Sequence, residues 1–140
     1  MRTKLIATII GLFLLVAGVR VLAHHAFDAE FDRNRPVELR GTVMKMEWVN
    51  PHSWLHIAVK KPDGTAEEWM LEGGTPNTLL RRGITKDSLT LGIELVVKGF
   101  QARDGSHSAS GTNLTFSDGR TLFFGSSGAG APPPDPSPKP

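Results

Sequence analysis

The chain has 140 residues and no cysteine, and its 16 Lys plus Arg against 14 Asp plus Glu give a formal charge of +2. Residues 1–23 hold Arg2, Lys4 and Arg20 and no acidic side chain, so without them 13 basic face 14 acidic groups, a net of −1. That balance argues against nucleic-acid binding through a clustered basic surface, the missing cysteine removes disulfides, thiolate ligands and a thiol nucleophile, and a composition 39% apolar and 21% charged fits one globular domain.

Met1 to Lys4 form a short positive leader, Leu5 to Val19 a mostly apolar run, and Val21-Leu22-Ala23 a permissive cleavage site. This is the pattern of a secretory signal peptide. Arg20 closes the run short of the roughly 20 residues a spanning helix needs, so no membrane span is expected after cleavage. The expected mature chain starts at His24, in the periplasm or outside the cell. Residues 24–36 form an N-terminal segment, 37–125 the folded domain and 126–140 a Pro-rich disordered tail.

In the segment His24-His25-Ala-Phe27-Asp28-Ala-Glu30-Phe31-Asp32, Phe27 and Phe31 lie four apart, as do Asp28 and Asp32. A helix there docks two rings on the domain and leaves the carboxylates to solvent. From Val37 to Val49 the apolar positions change phase, from Val37, Leu39 and Val43 to Met44, Met46 and Trp48, which predicts a long first strand bent by a bulge near Gly41. Asn50-Pro51-His52-Ser53 is a turn. A second strand, Trp54 to Lys60, sends Leu55, Ile57 and Val59 one way and Trp54 and His56 the other. Past the Lys61-Pro-Asp-Gly64 turn, a third strand from Ala66 to Glu72 sets Trp69 and Leu71 against Glu68, Met70 and Glu72.

Thr75-Pro76 opens a short helix as cap and first residue, and Gly83 stops it. Ile93 to Ala102 is a fourth strand, Arg103 to Gly111 a polar loop, and Asn113–Phe116 with Thr121–Phe124 a hairpin around Ser117-Asp118-Gly119-Arg120. The order predicts an all-β domain: a small OB-fold-like barrel of five or six strands with one short helix between strands three and four.

Chemistry rests on five histidines. In an OB-like barrel, His52 and His107 fall in the two loops that usually carry a ligand, and neutral imidazole suits copper, zinc and nickel. A mature terminus adds the His24 amine and ring and the His25 imidazole, nitrogen donors that suit Cu(II). The plain readings are a mobile polar terminus for His24 and His25, a turn residue for His52 and an exposed loop residue for His107. Met44, Met46 and Trp48 form an alternative set for Cu(I), a soft cation, and resemble in ligand type the methionine, histidine and tryptophan sites of small OB-fold copper carriers. Core filling is the ordinary role of such a stripe. Trp48, Trp54 and His56 offer a surface for an envelope protein partner. Glu67, Glu68 and Glu72 read as solvation, Gly73-Gly74-Thr75 before the helix, with Arg81 or Arg82 nearby, as a weak anion site, and no catalytic motif stands out, so no enzyme is expected.

His24-His25-Ala-Phe27, Gly41-Thr-Val43, Trp48-Val-Asn-Pro-His52-Ser-Trp54, Glu72-Gly-Gly-Thr-Pro76-Asn-Thr-Leu-Leu-Arg-Arg-Gly83 and Gly125-Ser-Ser-Gly128 together resemble a family of small exported bacterial proteins catalogued as a domain of unknown function. The resemblance implies a periplasmic or secreted protein and brings no activity or ligand with it. Copper held by His24, His25, His52 and His107 at the barrel mouth is the binding function expected from the residues themselves. The alternative is an envelope interaction domain without metal.

Overall fold

The computed structural model describes residues 27–126; the leader, His24, His25 and the tail beyond Ser126 lie outside the described residues. Six strands follow one another as β1 (Phe31–Glu47), β2 (Trp54–Lys60), β3 (Ala66–Glu72), β4 (Glu94–Ala102), β5 (Ser108–Phe116) and β6 (Thr121–Phe123). Helix α1 (Pro76–Arg81) and a 3-10 turn, Lys86–Leu89, sit between β3 and β4.

The sheet order is β3-β2-β1-β4-β5-β6, and β3 also meets β5 in parallel. That contact closes the ring β1-β2-β3-β5-β4, the strand order of an OB-like barrel. Closure is brief, resting on Met70 beside Ser108, Leu71 beside Ala109 and Glu72 beside Ser110. Beyond it along β5, β6 takes the same edge by pairing Asn113 to Thr115.

β1 serves both sides of the ring. Its second half pairs with β2 and its first with β4, and the register against β2 slips between Val43 and Lys45. Met44 is the extra residue of this bulge, which explains the change of phase: Val43 points inward before it and Met46 packs inward after it. Leu55, Ile57, Leu71 and Val97 are fully enclosed in the ring, each burial favouring folding by about 1.5–3 kcal/mol.

Two close approaches require glycine. The Phe124 ring is completely buried over Gly73 and Gly111, and a Cβ on Gly111 would lie 2.8 Å from its Cδ1. Thr75 caps α1 by accepting from the Thr78 amide at 3.2 Å, and Gly83 (φ 82°) ends it.

A second, smaller cluster lies on the outside of the ring. Residues 27–30 are helical, and Phe27 and Phe31 bury their rings against Phe100 and Ala102. The Phe27 ring stands 5.6 Å from Phe31 and edge-on to Phe100 at 6.1 Å. Arg103 pins this turn by donating its backbone amide to the Glu30 carbonyl at 3.0 Å. Asp28 pairs with Arg33 at 2.9 Å on the exposed side, the solvating role expected of it.

Candidate functional site

Alternation along β1, β2 and β3 sorts side chains between the core and an outer face. Trp54 is paired with Glu72 and with Glu47, and His56 with Met70 and Lys45, so these residues share the outer face. Each histidine among the described residues then meets a glutamate of β3.

His52 places Nδ1 3.0 Å from Glu72 Oε1 and 3.3 Å from the Gly73 carbonyl oxygen. A carbonyl only accepts, so Nδ1 carries a proton, and whenever the ring is neutral the lone pair is on Nε2. The imidazole is 39% exposed while the Glu72 side chain is only 11% exposed. Burial pushes the Glu72 carboxyl above its usual range, the His52 charge opposes the rise, and Glu30 adds to it. Glu30 therefore belongs to the electrostatic neighbourhood of this pair.

His56 is buried on the same face. Its Nδ1 lies 2.6 Å from Glu68 Oε1, and its Nε2 is 3.1 Å from Glu47 Oε1 without the alignment of a hydrogen bond. His107 stands apart from both. Its ring stacks on Trp69 with centroids 5.1 Å apart, and its Nε2 lies 3.6 Å from Glu67 Oε2. Trp69 is three residues back from Glu72 along β3, about 10 Å at the rise of a strand. His52 and His107 thus have separate partners instead of sharing one mouth.

The other candidates also separate. Met46 and Trp48 pack against the core, whereas Met44 on the bulge is exposed. Bulge geometry therefore splits the proposed thioether and indole set. Of the suggested contact surface, Trp48 faces the core, Trp54 is half-buried and His56 is buried, so the exposed apolar atoms nearby come from Met44, Val49 and Met70. Arg82 donates to the Gly125 carbonyl and lies over the Phe123 ring at 4.6 Å, which occupies it structurally.

The glutamates are what the sequence alone did not expose. Glu67, Glu68 and Glu72 alternate with large apolar residues as solvating groups do, and only strand pairing brings a histidine to each. Among the described residues, no three His, Cys, Asp or Glu side chains are grouped to hold a metal ion. None of their helices is long and apolar enough to cross a membrane.

Phe27, the first described residue, lies against the same face. Trp54, Glu72, Ser110 and Phe100 form one cross-strand row, and Phe27 rests on Phe100. Two strand spacings, about 10 Å, separate Phe100 from Glu72.

Compared with known proteins, residues 12–113 match the model of a family of unknown function, DUF6152. The match takes in all five histidines. No curated protein and no solved structure matches the chain.

Proposed function

Because the chain belongs to the DUF6152 family, which brings no assigned chemistry, we propose from its own residues that it is an exported, non-enzymatic module binding copper on the outer face of its β-ring. The donors are the amine and imidazole of a mature terminal His24, the His25 imidazole and Nε2 of His52. Nitrogen donors of this kind suit Cu(II). The observation that carries the reading is the His52–Glu72 pair, whose 3.0 Å contact at Nδ1 leaves Nε2 as the donor of a ring that is 39% exposed. Glu72 serves behind the ring, as carboxylates do behind metal-binding histidines. His107 has no part in it.

The test compares protein starting at His24 with protein carrying one extra glycine before it, each titrated with Cu(II) and Zn(II). Tight Cu(II) binding by the first, and a loss of at least tenfold in the second and in His52→Ala, is the expected result. Equal, weak binding by all three overturns the reading and leaves an envelope interaction domain in its place. Tight binding that survives the glycine but not His52→Ala moves the donors wholly onto the ring.

A further inference from the structure

We infer that His56 and Glu47 form a second cation site, separate from the terminal histidines, that takes a borderline divalent transition metal such as Zn(II). Three strands build it: Glu47 from β1, His56 from β2 and Glu68 from β3. Glu68 accepts from Nδ1 at 2.6 Å, which selects, for the neutral ring that a metal binds, the tautomer whose lone pair sits on Nε2. Such a carboxylate behind a histidine orients the ring and raises its basicity as a ligand.

On the other side, Nε2 is buried and has no hydrogen-bond partner among the described residues, although Glu47 Oε1 is only 3.1 Å away. In the neutral ring two acceptors therefore face each other with no aligned proton between them. A cation satisfies both. Zinc bonds of about 2.0–2.2 Å at angles from 90° to tetrahedral place neighbouring donor atoms about 2.8–3.6 Å apart, a range that includes the 3.1 Å found here. The Glu47 side chain is one-third exposed, and this is the route by which an ion enters. Water completes the shell.

Lys45 supplies the competing charge. Its Nζ lies 2.6 Å from the same Glu47 Oε1, and its side chain is 62% exposed. The ammonium occupies the carboxylate that the metal needs and stays outside the shell itself.

The experiment uses the full mature chain bearing the extra N-terminal glycine and His52→Ala, so that the terminal donors are disabled. Zn(II) is titrated by calorimetry and Co(II) by its visible absorbance. One equivalent is expected to bind, with Co(II) bands of a nitrogen- and oxygen-ligated ion, and both signals are lost in His56→Gln and in Glu47→Gln. Glu68→Gln should weaken binding about 10–100-fold and shift the His56 ring nitrogens in the NMR spectrum away from the Nδ1-protonated pattern. Lys45→Gln should tighten binding severalfold, a gain that a variant with damaged folding does not produce. Absence of binding, binding unchanged in His56→Gln, or no tightening in Lys45→Gln overturns the site. Because the terminal donors are already disabled, its failure is independent of theirs.

Discussion

At Glu72, one carboxylate shows how position decides character. Burial sets its protonation above the usual range, His52 counteracts this, and Glu30 reinforces it. Since the folded chain binds this proton more tightly than the unfolded one, the group favours folding below its ordinary value of about 4.5, and that contribution is lost as pH rises through the folded value. Glu72→Gln cannot ionise. In metal-free buffer, the stability of the native protein relative to this variant should therefore be greatest near pH 4 and fall toward pH 7. Urea unfolding across that range measures it, and a constant difference would mean that Glu72 titrates alike in both states. In the sequence, Glu72 looks like its neighbour Glu68; only the pairing of β3 with Trp54 on one side and Ser110 on the other sets it in a buried row.

Elements were legible where local chemistry sets them. Thr75 caps α1, Pro76 opens it and Gly83 closes it, each for reasons contained in the residue itself. Removing the cap in Thr75→Ala should lower stability by about 1 kcal/mol, seen as a lower urea midpoint at unchanged slope. The phase change in β1 was equally readable, and Met44 is its extra residue. By contrast, the polar loop expected up to Gly111 is strand from Ser108 onward. Ser108-Ala-Ser-Gly has no alternation of large apolar side chains to announce it. Its small residues answer to neighbours far along the chain: a Cβ on Gly99 would collide with the Ser110 carbonyl oxygen, and Gly111 lies beneath Phe124. The start of β1 was hidden in the same way, since Asp32 to Arg35 are polar and the strand is defined by Phe31 opposite Ala102 and Pro36 opposite Phe100.

For the whole molecule, closure depends on a brief contact of β3 with β5 and on the ring that fills the gap beside it. Phe124 is completely enclosed, its carbonyl accepts from the Gly74 amide at 2.8 Å, and its amide donates to the Thr112 carbonyl at 2.7 Å. Phe124→Ala empties the space between Gly73 and Gly111 and should cost about 3–5 kcal/mol. Thermal unfolding measures the loss, and hydrogen exchange at Gly74 should quicken well before the amides of β1 and β2 do. Unchanged stability would show that the closure does not need the ring.

The sequence by itself determined the all-β class, the helix between β3 and β4, the inward faces of β2 and β3 and the docking of Phe27 and Phe31, because period-two alternation, caps, turns and paired aromatics act over a few residues. Family membership was legible in the same short motifs. Which histidine meets which carboxylate was decided only by the tertiary structure. His52 meets Glu72 and His56 meets Glu68 through the register of the β2–β3 hairpin, whereas His107 reaches Glu67 only where β5 closes the ring on β3, residues far apart in the chain.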